Sequence, residues 1–320
     1  MSPGDPFPVA GLEFYKDHTL GRNAQLQGGG RGHRLSQRGE GGGFGLEGQS
    51  PSDLHPLSQD LEGEWTNRGL FAGAGEEEVA LRTRRGEGPV AGEDPKARIR
   101  ERIWQRFGFH GLIPPFEGVG KAAERLRYLP EYRSSRRVMV PPDQAQLQVR
   151  INALMDGKEL IAASPGLREG FFLIRRDLVR PRDWARALRG SNIARYGRPL
   201  PVKEIGKVDL LVTGAVAVGL NSGRIGKGKG YFDLEYMILR EVGAVEEDTV
   251  IAAVVDDSQV LEEVPVAEGD VSVDIIVTPT RTLRLEHLPR PKGIRWERVP
   301  MRLIRRMKPL WELYRLRASG

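Results

Sequence analysis

Ten consecutive residues, Arg224-Ile225-Gly226-Lys227-Gly228-Lys229-Gly230-Tyr231-Phe232-Asp233, concentrate the chemistry that this sequence offers. Glycine at 226, 228 and 230 lets the backbone bend sharply and turn its N–H groups toward a ligand. Arg224, Lys227 and Lys229 place three cations within six residues, and Asp233 adds a carboxylate suited to a magnesium ion that bridges phosphates. A helix starting at about Phe232 would point its positive end at the same anion. Together these residues describe a site for a nucleoside triphosphate. Two related patterns fit less well. Residues 223–230 read G-x-x-x-x-G-K-G, with glycine at 230 where a P-loop needs Ser or Thr on magnesium, which disfavours a kinase or ATPase of that type. Nor is the spacing G-x-G-x-x-G, which argues against a nicotinamide site. A flexible basic turn is the plain alternative.

The surrounding elements set where such a loop would sit. Residues 210–218 are apolar except for Thr213, as suits a strand buried on both faces, and a helix is expected over 232–242. Two further buried strands are expected at 250–255 and 271–277, the second interrupted by Asp274. Upstream, residues 96–107 carry Ile99, Ile103, Trp104 and Phe107 at helical spacing, with Trp104 read as core. A second helix is expected over 119–128. A short strand at 137–140 is stopped by Pro141-Pro142, and Asp143 is placed to cap a helix that runs to Met155 and ends at Gly157. Residues 160–163 and 171–174 are the next strands. Strands alternating with helices predict an α/β fold, a mostly parallel sheet with helices on both faces and the glycine loop at its carboxyl edge.

Composition divides the chain in three. Residues 1–95 hold 20 of the 40 glycines and seven prolines, with 9 basic and 15 acidic side chains. Such a segment cannot bury enough apolar surface to offset its ordering entropy, so a disordered extension is expected, and its net negative charge argues against a Gly/Arg-rich RNA tail. A start nearer Val79 or Val90 is an alternative reading of the same stretch. Residues 96–288 form the folded domain. Residues 289–320 read as a basic helical tail, with Met301, Leu303, Ile304, Met307, Leu310, Trp311 and Tyr314 at helical spacing among many arginines. That stripe either packs on the domain or meets RNA. The absence of cysteine excludes a disulfide framework, a thiolate zinc site and a cysteine nucleophile. His18, His33, His55, His110 and His287 are scattered, so no histidine metal cluster is expected. No apolar run approaches the ~20 residues of a membrane span, and no secretion signal opens the chain, which points to a cytoplasmic protein.

The segment R-I-G-K-G-K-G-Y-F-D resembles the R-x-G-x-G-x-G-Y-Y-D signature of 5-formyltetrahydrofolate cyclo-ligase, also called methenyltetrahydrofolate synthetase. Lys96-Ala97-Arg98-Ile99-Arg100 resembles that family's opening K-x-x-L-R helix, and Gln259, Val264-Pro265, Asp270 and residues 274–279 resemble its closing segment. The wording around Val216-Ala217-Val218, Asp233-Leu234-Glu235-Tyr236 and Thr278-Pro279-Thr280-Arg281 is most similar to the methenyltetrahydrofolate synthetase domain-containing branch. The resemblance implies a three-layer, Rossmann-like fold of the NagB/RpiA/CoA-transferase-like kind. It further implies ATP as co-substrate, magnesium, a monomer, and conversion of 5-formyltetrahydrofolate to 5,10-methenyltetrahydrofolate.

Carried over by position, Lys96 and Arg100 contact ATP, Arg224, Ile225, Gly226, Lys227, Gly228, Lys229, Gly230, Tyr231 and Phe232 wrap its phosphates, and Asp233 and Asp270 hold magnesium. Lys96 and Arg100 are four residues apart, so both fall on one helix face. Several family positions differ. The P-G-x-A-F-D stretch is here Thr213-Gly214-Ala215-Val216-Ala217-Val218, the Arg after the motif's Asp is Leu234, and the His before Asp270 is Gly269. The stretch that holds folate in authentic synthetases is replaced around Pro141-Pro142-Asp143-Gln144. ATP binding is thus better supported than folate turnover, and a non-catalytic nucleotide- or RNA-binding descendant is the competing reading. Asp256-Asp257 is either a second carboxylate pair or a strand-end turn.

Overall fold

A computed structural model describes residues 94–319. The expectation for the glycine-rich front lies, but for its last two residues, outside them. Helix α1 (Pro95–Phe107) opens on Asp94, whose carboxylate accepts from the Lys96 amide, and closes at Gly108 with φ +70°. Helices α2 (Val119–Arg127) and α3 (Pro130–Ser134) lead into strand β1 (Arg137–Met139). Helix α4 (Leu147–Met155), strands β2 (Glu159–Ala163) and β3 (Phe171–Ile174), and short helices α5 (Trp184–Ala187) and α6 (Ile193–Tyr196) follow. Then come β4 (Arg198–Leu200), β5 (Leu210–Thr213), β6 (Ala217–Gly219), β7 (Arg224–Ile225) and helix α7 (Tyr231–Glu241). The chain continues through β8 (Val250–Val254), β9 (Val260–Leu261), β10 (Ile275–Val277) and β11 (Thr282–Arg284), and finishes with helices α8 (Met301–Arg306) and α9 (Lys308–Ser319).

An eight-stranded sheet in the order β11-β10-β8-β5-β1-β2-β3-β4 forms the centre. Its five middle strands, from β10 to β2, are parallel, and antiparallel β11, β3 and β4 finish the edges. Successive strand residues point to opposite faces, and the core obeys that period. On one face Met139, Ile161, Leu211, Ala253 and Ile276 pack under α7, α8 and α9. On the other, Val138, Leu160, Val212, Ala252 and Ile275 pack under α2, α4, α5 and α6. The expected mixed α/β architecture with a mostly parallel sheet and helices on both faces is therefore present.

Two expectations need correction. The apolar run 210–218 is not one strand: β5 ends at Thr213, the chain bends at Val216, and β6 enters a separate three-stranded sheet, β7-β6-β9. A Cβ at Gly214 would lie 2.7 Å from Ile113 and 2.8 Å from Gln146, so only glycine admits that close packing. The run 271–277 yields strand only at β10; residues 271–273 are buried without joining a ladder. Of the two readings of the stripe in the basic tail, packing on the domain is the one present: Ile304, Met307, Leu310 and Leu313 complete one face of the core, and Glu312 accepts from the Val202 amide at 3.0 Å.

Among the described residues no helix is long and apolar enough to cross a membrane. Strand β1 pairs β2 on one side and β5 on the other, so the order reverses between β1 and β5. Ligands of parallel α/β sheets bind in the crevice at such a reversal, beyond the carboxyl ends of the strands. Here that crevice is flanked by residues 140–146 after β1 and residues 214–216 after β5.

Candidate functional site

The glycine loop is reached through the small sheet. After β5 the chain leaves the large sheet, and β6 and β7 pair as an antiparallel hairpin whose Ala217 and Ile225 cluster with Ile103 and Trp104 of α1. Residues 226–230 follow and deliver Gly230, with φ +61°, to the N-terminus of α7. No side chain caps that helix end. Gly228 has φ +89°, a conformation that side chains disfavour, and its Cα side lies over the Arg100 guanidinium.

Four of the cations that the sequence singles out, Lys96, Arg100, Arg224 and Lys227, each meet a local partner. Arg100, nearly buried, donates from Nε to the Gly226 carbonyl at 2.9 Å and from Nη1 to Asp94 at 3.1 Å. Lys96, one turn earlier, pairs with Asp270. Lys227 reaches across the crevice to Asp143, Nζ to Oδ1 at 2.7 Å. Arg224 turns inward: its Nη2 meets Asp233 Oδ1 at 2.6 Å and its guanidinium covers the Phe232 ring at 4.7 Å, while Nε has no hydrogen-bond partner. The Tyr231 hydroxyl lies 3.4 Å from where a Cβ on Gly166 would stand, so it extends to the loop after β2. Ile225 and Phe232 are core residues, and only their backbone is available to a ligand. The fold thus brings Lys96, Arg100 and the whole 224–233 segment together.

Asp233 and Asp270 are adjacent through Val271, whose amide donates to Asp233 at 3.0 Å. Both carboxylates are engaged by cations. Asp233 is engaged by Arg224, and Asp270 by Lys96 and by the Ala267 amide at 2.6 Å. Among the described residues no three His, Cys, Asp or Glu side chains converge on a metal-sized space. The two carboxylates stand in two ion pairs, Asp233 with Arg224 and Asp270 with Lys96. Asp256-Asp257 is a strand-end turn: Asp256 caps residues 257–259 in a capping box, and Asp257 takes the hydroxyls of Thr278 and Thr280 at 2.7 and 2.6 Å. Burial works against the Asp257 anion, and those hydroxyls hold its carboxyl below the usual range all the same.

Sequence reasoning missed three site residues. Asp143 does not cap the following helix, because its carboxylate is committed to Lys227. Its loop is instead pinned by Arg150, a fully buried guanidinium that donates to the carbonyls of Pro141, Asp143 at 3.0 Å, Pro142 at 3.4 Å and Leu188 at 2.9 Å. Burial among these neutral acceptors pulls Arg150 down to about 10, against the pull of Asp143. Third is Glu235, on the second turn of α7, 4% exposed and with no partner for Oε2. Burial pushes its carboxyl up to about 8; Asp143 adds to the rise, and Lys227 and Arg224 oppose it. A charged type in an otherwise apolar helix, Leu234-Glu235-Tyr236-Met237, was the signal available in the sequence.

With this geometry established, comparison with known proteins gives the lineage. Residues 93–279 match the model of the 5-formyltetrahydrofolate cyclo-ligase family, a span that holds α1, the glycine loop and Asp270. The chain belongs to that family. It is similar to methenyltetrahydrofolate synthase domain-containing proteins of Mus musculus, 33% identical over 238 residues, and of Homo sapiens, 32% identical over the same length. The mouse match covers 68% of this chain and 63% of the relative, so this family member spans just under two thirds of that curated relative's length. A 5-formyltetrahydrofolate cyclo-ligase of Mycolicibacterium smegmatis is 33% identical over 82 residues, 26% of this chain and 39% of that one. Among solved structures, the 5,10-methenyltetrahydrofolate synthetase of Aquifex aeolicus aligns with 63% of this chain and 99% of its own, at 21% identity and a TM-score of 0.43.

Proposed function

We propose that this cyclo-ligase family member binds ATP at residues 224–232 and uses it to convert 5-formyltetrahydrofolate to 5,10-methenyltetrahydrofolate. The observation that carries the reading is convergence: Lys96, Arg100 and Lys227, from two distant segments, surround one glycine loop beside the reversal of strand order, within the family-matched span. The formyl oxygen attacks the γ-phosphorus and ADP departs. N10 then attacks the activated formyl carbon, and inorganic phosphate leaves as the ring closes. The substrates supply both nucleophiles, so the protein's task is to hold them in line and neutralise phosphate charge. Lys227 and Lys229 are placed for the phosphates, Arg100 supports the loop from beneath, and Arg224 with Asp233 fixes the start of α7. Asp233 and Asp270 would hold the magnesium ion that the resemblance implies, which would neutralise phosphate charge, and no step is routed through it.

The test uses the full chain with ATP, magnesium salt and 5-formyltetrahydrofolate, following the ultraviolet absorbance of the methenyl product. ATP-dependent product that falls sharply on Lys227→Ala with Lys229→Ala supports the assignment. Tight ATP binding without product removes the folate chemistry and keeps the nucleotide site.

A second reading, contact with single-stranded RNA, rests on the last two helices. Trp311 stacks on Tyr314 at 6.0 Å and 15°, Trp296 lies 6.2 Å from Tyr314, and Arg317 covers Trp296 at 5.9 Å. Exposed Arg305, Arg306 and Arg315 accompany them. Stacking rings beside arginines suit unpaired bases and their phosphates. Salt-sensitive binding of a labelled single-stranded RNA, weakened by Trp311→Ala, would support it; binding equal in the variant would remove it.

A further inference from the structure

The two aspartates beside the glycine loop are held unequally. Asp233 is fixed twice: the Val271 amide donates to it at 3.0 Å, and Arg224 donates to it at 2.6 Å from a side chain 5% exposed that also covers the Phe232 ring. Asp270, the residue before Val271, meets a lysine instead. Lys96 is on the first turn of α1, and this pair is partly open to water, its side chains 16% and 22% exposed. A guanidinium laid over a ring is held in one geometry, whereas an ammonium on a flexible four-carbon stem swings between acceptors. Lys96–Asp270 is therefore the pair able to change partners, and Arg224–Asp233 is the pair that stays.

The position of Lys96 supplies the second partner. Arg100, one turn or ~5.4 Å further along α1, donates to the Gly226 carbonyl of the glycine loop, so the same helix face brings Lys96 to the proposed phosphates. One ammonium does not serve Asp270 and a phosphate at full strength. Once Lys96 turns to polyphosphate, Asp270 keeps the Ala267 amide at 2.6 Å and loses its compensating charge. It then stands as a carboxylate one residue from the amide that holds Asp233. Magnesium is commonly held by one or two carboxylates completed by substrate phosphates, and Asp233 with Asp270 is a donor set of that kind. While Lys96 remains on Asp270, its positive charge opposes a divalent cation at the same place.

We propose that Lys96–Asp270 is an exchange pair that makes polyphosphate and magnesium binding depend on each other: the anion draws Lys96 from Asp270, and the carboxylate so released is open to the divalent cation. The proposal rests on the nucleotide reading above and adds a coupling located in one pair of residues. Lys96 then gates the metal as well as touching phosphate. Such coupling is reciprocal, so magnesium raises polyphosphate affinity by the factor by which polyphosphate raises magnesium affinity.

The experiment is calorimetry on the full chain with three titrants: magnesium chloride alone, a non-hydrolysable ATP analogue with chelator, and the same analogue with saturating magnesium. Complexation of magnesium by the analogue in solution is common to all variants, so differences between variants are what is read. Lys96→Met, which keeps the stem and removes the charge, should bind magnesium alone about tenfold more tightly than wild type. Lys96→Arg, which keeps a cation on Asp270, should leave magnesium affinity as weak as in wild type, an outcome that loss of packing at residue 96 does not produce. Asp270→Asn should bind the metal-free analogue several-fold more tightly, since Lys96 is released, and should gain less from magnesium than wild type does. Wild-type magnesium affinity in Lys96→Met, or wild-type affinity for the metal-free analogue in Asp270→Asn, overturns the exchange and leaves the nucleotide reading standing. Failure of the wild type to bind the analogue even with magnesium overturns the nucleotide reading, and the exchange with it.

Discussion

Two buried arginine–aspartate pairs, built alike, behave differently at opposite ends of the sheet. Near the amino ends of β8 and β10, Arg290 gives Nε to Ser272, Nη1 to the carbonyls of Glu247 and Thr249, and Nη2 to Asp274. Asp274 in turn takes the Ile251 amide and His287 at 2.8 and 2.9 Å. At the crevice, Arg224 meets Asp233 but leaves Nε unpartnered, and Gln146 Oε1 and Glu235 Oε2 nearby are unpartnered as well. These are three of the five buried unpaired side-chain atoms among the described residues; the other two, Tyr236 Oη and Arg240 Nε, are on α7, Arg240 beside Glu247. A saturated network fixes a chain segment, here the stretch after β11. An undersaturated one keeps capacity for a ligand, at a cost in stability.

The largest effect separating the two regions should come from Arg290→Ala. Removing the arginine strands the Asp274 charge, so unfolding free energy should drop by roughly 3–5 kcal/mol in a denaturant titration. A loss below about 1 kcal/mol would show that the network is not the staple described. Next comes the double variant Lys227→Ala with Lys229→Ala. ATP affinity, read by calorimetry, should fall by at least tenfold, about 1.4 kcal/mol, while stability stays near wild type because Lys227 is partly exposed. Unchanged affinity would remove the phosphate-loop assignment.

Glu235 sharpens the comparison through pH. Its carboxyl, raised by burial and then by Asp143 from 4.5 to about 8, binds a proton more tightly folded than unfolded. Stability should therefore fall as pH rises from about 4.5 to 8 and level off above, with a slope approaching ~1.4 kcal/mol per pH unit inside that window. Glu235→Gln removes that slope, so the variant should gain on wild type between pH 5 and pH 8 in thermal melts. Parallel melting curves across that range would contradict the burial described. Smallest is Trp311→Ala at the exposed aromatic stack, which should stay within about 0.5 kcal/mol of wild type while testing RNA contact.

Much of the site was legible because its residues are contiguous. The 224–233 segment needs only its own glycines and charges to read as an anion loop, and α1 declares itself by the apolar spacing of Ile99, Ile103, Trp104 and Phe107. Continuous apolar runs likewise announce strands whose two faces are both covered. The break of 210–218 at Gly214 was not legible, since hydrophobicity does not distinguish one long strand from two short ones in different sheets. Asp143 read as a cap because helix caps are local, whereas its partner is 84 residues away.

The sequence by itself determined that the fold is α/β, that a basic glycine loop precedes a helix, and that the chain resembles the cyclo-ligases, all of which rest on neighbours along the chain. Only the tertiary structure decided which charges meet. It turned Arg224 inward, spent Asp233 and Asp270 on cations, set Lys227 against Asp143 and buried Glu235. Ion pairing depends on distances of a few ångströms through space and on exclusion of water, and neither quantity is written in sequence separation.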